Sequence, residues 1–259
     1  MLSGRVSNAA PPREYGRAGL FGVLTPQANP VAEPELRILL PSASAMLAAR
    51  LTSAAPTLRR RLGEYRERLE ECLERFGAIA FDAVAVACTG SSYETDPEEE
   101  RERMRQIGAR KGYPVITAAE ALEAALESLQ VGAVALVSPY PPWLTDACRR
   151  HWERRGMRIT AVLQLSAGGT QEHRIYGLES AELLGALGSF DPRGAQALLL
   201  AGTGMASLRV IRALEPALGI PVLSSNLCLA WALARTTAAV APGPESRLFG
   251  GWAARLESS

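Results

Sequence analysis

Short apolar runs alternate along the chain with longer stretches whose apolar residues recur every three or four positions. Runs of this length predict buried strands, and the stretches between them predict amphipathic helices. Strands that alternate with helices indicate an α/β fold with largely parallel sheets. The predicted strands cover residues 19–25, 35–40, 83–87, 115–116, 133–137, 158–162, 197–201 and 222–223.

The helical pattern is clearest over residues 57–76, where one face is apolar and the other carries Arg and Glu. A second predicted helix begins at Pro97, with Asp96 as its N-cap and three glutamates in its first turn. We interpret that acidic run as structural. The apolar face of the first helix comprises Leu58, Leu62, Tyr65, Leu69, Cys72, Leu73 and Phe76.

The two halves of the chain repeat one another in order. FDAVAVACTGSS is matched by AQALLLAGTGMAS, GYPVIT by GIPVLS, and FGVLTP by VALVSP. We interpret Cys88 and Thr203 as equivalent positions of the first pair. A repeat of this length is a domain-sized unit, so it predicts two similar lobes with a cleft between them.

Composition excludes several classes of protein. The 259 residues are 47% hydrophobic, and a net charge of +1 provides neither a field for nucleic acid nor a basic surface for a membrane. The apolar runs are shorter than the ~20 residues of a membrane-spanning helix. Residues 1–17 lack the apolar centre of a signal peptide, so we expect a flexible N-terminal tail and a cytoplasmic protein.

The four cysteines are widely spaced and form no Cys-x-x-Cys pair, which argues against a zinc site or a disulfide framework. Lys111 is the only lysine, and no Gly-Lys-Ser/Thr phosphate loop occurs, so we expect no cofactor. Cys72, Cys148 and Cys228 lie on apolar helix faces and are predicted to be core residues.

Cys88 differs from the other cysteines because it follows a strand and precedes a turn of small residues. Open α/β sheets bind ligands at the carboxyl ends of their strands. Turn amides and a helix start lower the pKa of a thiol, so we expect a reactive Cys88. The amides of residues 89–92 and 204–207 predict two anion cradles, which together suit a small dicarboxylate.

These motifs resemble the aspartate/glutamate racemase superfamily, in its branch with maleate cis-trans isomerase and arylmalonate decarboxylase. The resemblance is carried by GVLTPQANPVAEPE, ACTGSS, ALVSPY and SSNLCLAW, in that order. It implies two flavodoxin-like lobes with parallel sheets, related by a pseudo-twofold axis, with the active site in the cleft. The first lobe would comprise residues 18–117 and 226–259 and the second residues 118–225, in a homo-oligomer (dimer or tetramer).

The resemblance also implies roles for individual residues. Cys88 matches a nucleophile or base, Asn29 a ligand of the substrate carboxylate, and Tyr140 a tyrosine that reaches over the substrate. Thr203 departs from the family pattern. The isomerases have a second cysteine at this position, and the decarboxylases have their only one there. The remaining predicted substrate-binding residues form the cradles: Thr89, Gly90, Ser91, Gly204 and Met205.

We therefore expect a cofactor-independent isomerase of a small carboxylate or dicarboxylate, resembling maleate cis-trans isomerase, with Cys88 as nucleophile. Three alternatives remain: a carbon-carbon lyase like arylmalonate decarboxylase, a racemase of the aspartate/glutamate type, and a non-catalytic carboxylate-binding protein. A threonine hydroxyl is too weak an acid to exchange protons freely near neutral pH, which argues against symmetric racemisation. The family's second-lobe asparagine is replaced here, with Glu172 or His173 near its place.

Overall fold

The computed structural model describes residues 13–165, 174–238 and 240–259. Two four-stranded parallel sheets form its centre, which confirms the predicted α/β class. The first sheet has the order β2-β1-β3-β4 and the second the order β6-β5-β7-β8. The strands are β1 (Leu20–Pro26), β2 (Ala45–Leu51), β3 (Ala83–Val86), β4 (Val115–Thr117), β5 (Ala133–Ser138), β6 (Arg158–Gln164), β7 (Ala197–Leu200) and β8 (Val222–Ser224).

Helices connect and cover the strands of both sheets. Within the described residues they are α1 (Ala32–Leu39), α2 (Leu58–Glu67), α3 (Leu69–Glu74), α4 (Pro97–Lys111), α5 (Ala118–Ser128), α6 (Pro142–Arg154), α7 (Ser180–Leu187), α8 (Leu208–Leu218), α9 (Ser225–Arg235) and α10 (Ala253–Glu257). Two 3-10 turns, Thr89–Ser91 and Arg174–Gly177, follow β3 and β6.

The prediction of a strand at residues 35–40 is wrong, because this segment belongs to helix α1. The Asn29 side-chain oxygen accepts the N–H groups of Val31 and Ala32 at 2.9 and 3.2 Å, which starts the helix. Leu36 and Leu39 are then three positions apart on one buried face. A short run of apolar residues fits either period, and here the capping asparagine decides between them.

The edge strand β2 was not predicted, since its alanine-rich sequence has no strand preference of its own. Pairing with β1 determines it, from Leu20 beside Ala45 to Pro26 beside Leu51. The helix predicted over residues 57–76 is divided at Arg68 into α2 and α3. Neither Gly nor Pro marks the division, and we have no physical account of it.

The prediction for the start of α4 is confirmed. The Asp96 carboxylate accepts the N–H groups of Glu98 and Glu99 at 3.0 and 3.2 Å. Gly112 ends the helix with φ of 79°, a left-handed conformation that glycine adopts without strain. The three cysteines predicted to be core residues are buried.

The two sheets have the same strand order, and their last strands lead into equivalent helices, α5 and α9. These two helices pack against each other, and α9 also contacts β3 and β4 of the first sheet. This is the arrangement expected of two repeats related by a twofold axis. None of the described helices is long and apolar enough to cross a membrane.

The N-cap of α4 provides a test of the local structure. We expect Asp96→Ala to lower the free energy of unfolding by about 1 kcal/mol, because two N–H groups lose their acceptor. Arg150→Ala, at an exposed position of α6, should change it by less than about 0.5 kcal/mol. Urea unfolding followed by circular dichroism measures both, and equal effects of the two substitutions would contradict the capping role.

Candidate active site

The carboxyl ends of β1, β3, β5 and β7 surround one cavity of about 360 Å³ between the sheets. Seven of the nine predicted site residues line it: Asn29, Cys88, Thr89, Gly90, Tyr140, Thr203 and Gly204. Ser91 and Met205 are buried but do not line the cavity. Of the four cysteines, only Cys88 lines it. Cys88 therefore lies at the cavity between the two sheets.

The strand register corrects the equivalence of Cys88 and Thr203. Ala87 N–H donates to the carbonyl of Leu24 in β1, and Ala201 N–H donates to that of Val137 in β5. The alanines are thus equivalent. The next residue in each lobe is then Cys88 in the first and Gly202 in the second. Thr203 is the counterpart of Thr89, so the sequences ACTG and AGTG align without an offset.

Gly202 leaves no room for a side chain at the second-lobe position. Its φ is +100°, and a Cβ built on it would lie 2.8 Å from the hydroxyl oxygen of Tyr140. It would also lie 3.2 Å from Cδ1 of Ile175. The tyrosine hydroxyl therefore occupies the space that a second thiol would need.

The Thr203 hydroxyl joins the lobes. It donates to the carbonyl of Ala87 at 2.7 Å and accepts from Nδ2 of Asn29 at 3.1 Å. Both partners belong to the first lobe, whereas Thr203 follows β7 of the second. Since its proton points at a backbone carbonyl, this hydroxyl acts as a buried crosslink between the lobes.

A second hydroxyl chain crosses the cleft beside the first. Thr89 donates to the hydroxyl oxygen of Ser225 at 2.8 Å, and the same oxygen accepts Gly202 N–H at 3.1 Å. The sequence motif SSNLCLAW contains Ser225, but no role had been predicted for it. Its position directly after β8 was the available signal, because strand ends of both sheets meet here.

The predicted second anion cradle is already partly occupied by the protein itself. The carboxylate of Glu35, from α1, accepts the N–H groups of Ser207 and Leu208 at the start of α8. It also accepts Nδ2 of Asn226 at 2.8 Å, and Asn226 in turn donates to the carbonyl of Thr203 at 3.1 Å. Glu35 is buried, and burial raises the pKa of its carboxyl group. A substrate carboxylate cannot use the amides of Ser207 and Leu208.

The Cys88 thiol does not have the lowered pKa that the sequence suggested. Burial raises its pKa, because a thiolate loses hydration in the protein interior. Ser91 acts in the opposite direction, but its hydroxyl and N–H both donate to the Cys88 carbonyl, at 2.7 and 3.3 Å. The protonated thiol is therefore the main form of Cys88 at neutral pH.

The walls of the cavity combine polar and apolar side chains. Leu58 and Leu62 of α2 line it, together with Leu144 of α6 and Ile175. A Cβ on Gly90 would lie 3.5 and 3.6 Å from Leu144 and Leu62, so this apolar wall lies beside the cysteine-bearing turn. Polar lining residues that were not predicted are Gln27, Ser53, Arg61, Tyr65 and Tyr176.

Other groups have defined positions around the cavity. A Cβ on Gly204 would lie 2.5 Å from the Tyr176 ring, so only glycine admits this ring. Arg61 donates to the carbonyl of Ala55 at 3.0 Å. The suggested replacements Glu172 and His173 lie outside the described residues. Within the described ranges, no group of three or more His, Cys, Asp or Glu side chains could hold a metal ion.

Comparisons with known proteins agree with this architecture. The family model described as Arylmalonate decarboxylase matches residues 21–249. A maleate isomerase of Geobacillus stearothermophilus is 24% identical over 221 residues, which are 79% of this chain and 86% of that protein.

Solved structures share the fold. Maleate isomerase Iso from Pseudomonas putida has a TM-score of 0.81 and 19% identity, covering 90% of this chain and 98% of that one. A mutant of Nocardia farcinica maleate cis-trans isomerase, in which serine replaces a cysteine, contains a covalently bound succinylcysteine intermediate. Its TM-score is 0.77 at 23% identity, covering 88% of this chain and 96% of that one.

The interlobe threonine yields a matched pair of substitutions. Thr203→Val should lower the free energy of unfolding by about 1 to 3 kcal/mol, because Asn29 Nδ2 and the Ala87 carbonyl lose a buried partner. Thr25→Val, in β1, should leave it unchanged or raise it, because the buried Thr25 hydroxyl has no hydrogen-bond partner among the residues that the structure describes. Chemical unfolding compares the two, and equal losses would contradict the crosslink.

The contact between Gly202 and Tyr140 predicts non-additive substitutions. Gly202→Ala should destabilise the protein, both because φ is positive and because the new Cβ meets the tyrosine hydroxyl. Tyr140→Phe removes that oxygen and should recover part of the loss in the double mutant. Gly132→Ala, where the nearest atom to a Cβ is 3.7 Å away, serves as control. Strict additivity in thermal unfolding would show that the contact contributes nothing.

Proposed function

Because the chain belongs to the arylmalonate decarboxylase family, whose model matches residues 21–249, we propose that it is a cofactor-independent enzyme of small carboxylates that uses Cys88. Its proposed reaction is cis-trans isomerisation of a maleate-like dicarboxylate. One observation carries this proposal: Cys88 is the only cysteine that lines the cavity, and it follows a central strand of the first sheet. Similarity to maleate isomerases in sequence and fold supports it.

The reaction needs only one thiolate. The sulfur of Cys88 forms a bond to one alkene carbon, and the π-electron pair moves onto the neighbouring carbon and its carboxylate. Rotation about the resulting single bond brings the carboxylates to the trans arrangement. The electron pair then re-forms the double bond, the C–S bond breaks and the thiolate is regenerated. No proton is gained or lost by the substrate carbon, so a second thiol is not required.

The proposed binding groups surround the sulfur. Thr89, Gly90 and Ser91 form the turn after Cys88, while Asn29 and Tyr140 reach the cavity from the ends of β1 and β5. The N–H groups of Thr89 and Gly90, the Asn29 amide and the Tyr140 hydroxyl would hold the substrate carboxylates and stabilise the enediolate charge. Ser91 supports the turn from outside the cavity, through its hydrogen bonds to the Cys88 carbonyl. On the second-lobe side Gly204 lines the cavity, and Met205 supports that turn from the core. Thr203 would position Asn29 rather than transfer a proton.

Decarboxylation of a substituted malonate is the second candidate. Two observations favour it. The first is the apolar wall of the cavity, formed by Leu58, Leu62, Leu144 and Ile175. The second is that the equivalent positions of the two lobes carry one thiol and one glycine, Cys88 and Gly202. A protonated Cys88 would then deliver its proton to the enediolate that remains after loss of carbon dioxide. Racemisation through two thiols is not supported, because Gly202 stands at the second position. The lobe boundaries and the homo-oligomer remain predictions from the resemblance.

Proton NMR in D2O with maleate and phenylmalonate tests the proposal. We expect maleate to yield fumarate without deuterium on its alkene carbons, because the route exchanges no proton. Cys88→Ala should abolish the reaction, while Cys72→Ala, at a buried cysteine of α3, should retain it. Loss of carbon dioxide from phenylmalonate with maleate unchanged would contradict isomerisation and favour the lyase. If both substrates return unchanged, both enzyme proposals fail for these substrates.

The pH dependence separates the two roles of Cys88. Its pKa is raised by burial, so the thiolate fraction increases with pH above neutrality. A nucleophilic thiolate predicts that kcat/KM rises with pH through this ionisation. A thiol that donates a proton predicts the opposite slope. Steady-state rates between pH 6 and about 9.5 measure the direction, and a falling profile would contradict the nucleophilic role.

A further inference from the structure

The turn that holds Cys88 is supported from behind by an arginine of α2. Nη1 of Arg66 donates to the carbonyl of Ser91 at 2.9 Å and to the hydroxyl of Thr95 at 3.0 Å. Ser91 in turn donates its hydroxyl proton to the carbonyl of Cys88 at 2.7 Å. A guanidinium charge is therefore fixed to the backbone of the cysteine-bearing turn, on the side away from the cavity that contains the thiol.

A carboxylate lies behind the same turn. Glu100 of α4 is only 8% exposed, and it lines a second cavity of about 210 Å³ together with Arg66, Ser91 and Arg103. Arg103 donates to the backbone carbonyl of Arg66 at 2.7 Å. Tyr65 lines both this second cavity and the one that contains Cys88. The two cavities are thus separated by the tyrosine and by the turn itself.

Charges in such an environment act on the thiol through a medium that screens weakly. The positive charge of Arg66 lowers the pKa of Cys88, and the negative charge of Glu100 raises it. The tyrosines on the other sides interact with Cys88 as well, and each has a raised pKa: Tyr65, Tyr140 and Tyr176. These phenols are neutral near pH 7, so they contribute dipoles rather than charges. Among the other charged groups around the turn, Arg61 lines the first cavity, and Arg103 and Glu99 line the second. Burial raises the pKa of Glu100, and the positive charges of Arg155, Arg66 and Arg103 lower it.

We propose that Arg66 and Glu100 are opposed positioning residues that set the ionisation of Cys88 from behind its turn, Arg66 favouring the thiolate and Glu100 the thiol. Neither residue lines the cavity of Cys88, so neither touches the substrate. The inference rests on the proposed function only in taking Cys88 as the reactive thiol. It gives the second cavity a role, because that cavity keeps both charges close to the turn and largely shielded from solvent.

Alkylation of Cys88 by iodoacetamide tests this inference without any substrate turnover. The rate follows the thiolate fraction, and peptide mass spectrometry assigns the label to Cys88. At pH 7.5 we expect Arg66→Gln to slow labelling roughly threefold or more and Glu100→Gln to accelerate it by a similar factor. The pH midpoint should move up in the first variant and down in the second. Arg66→Lys retains the charge and should restore most of the rate.

Controls separate charge from loosening of the fold. Arg105→Gln, on the exposed face of α4, should label like the wild type. A loosened turn would expose the thiol and accelerate labelling in both variants, whereas the charges predict opposite changes. Changes of the same sign, or no change in either variant, would overturn the inference. If the two variants shift in opposite directions but maleate is not isomerised, the inference about Arg66 and Glu100 stands and the proposed reaction fails. If maleate is isomerised but the shifts are absent, the proposed reaction stands and the inference fails.

Discussion

A single threonine hydroxyl holds three segments together where the two lobes meet. The Thr203 hydroxyl donates to the carbonyl of Ala87, the residue directly before Cys88. It accepts a hydrogen bond from Nδ2 of Asn29, whose side-chain oxygen also starts α1. From α1, Glu35 reaches the start of α8 and Asn226, which returns to the Thr203 carbonyl. A shift of one lobe against the other would break hydrogen bonds in this closed ring and leave buried donors or acceptors unpaired. The position of Cys88 depends on it.

The site is asymmetric although the fold is a repeat. In the first lobe the residue after the alanine is a cysteine, and in the second it is a glycine whose missing side chain admits the Tyr140 hydroxyl. In the second lobe, Glu35 accepts the N–H groups of Ser207 and Leu208, whereas in the first lobe the Ser91 N–H donates to the Cys88 carbonyl of its own turn. One lobe thus supplies the thiol, and the other supplies the tyrosine and structural hydrogen bonds. A covalent route through one sulfur fits this division better than proton exchange between two faces.

The sequence predicted the strand-ending motifs well because parallel sheets place their carboxyl ends along one edge, which brings Asn29, Cys88 and Tyr140 together. It failed at the segment around Glu35, because an apolar run does not show that Asn29 starts a helix there. It also failed where long-range contacts decide, since β2 is a strand because β1 pairs with it. The equivalence of Thr203 and Cys88 was one residue out, since only hydrogen bonds to β1 and β5 fix the register. The raised pKa of Cys88 reflects burial that local sequence does not report.

The most direct test uses acetylenedicarboxylate. A thiolate adds to this alkyne, and it is not easily eliminated from the product. The sulfur bonds to one alkyne carbon, the other takes a proton from water, and the vinyl thioether persists. Peptide mass spectrometry should find one adduct, on Cys88, formed more slowly when excess maleate is present. Modification spread over Cys72, Cys148 or Cys228, or labelling of Cys88 that maleate does not slow, would contradict the claim that this thiol is the nucleophile of a dicarboxylate site.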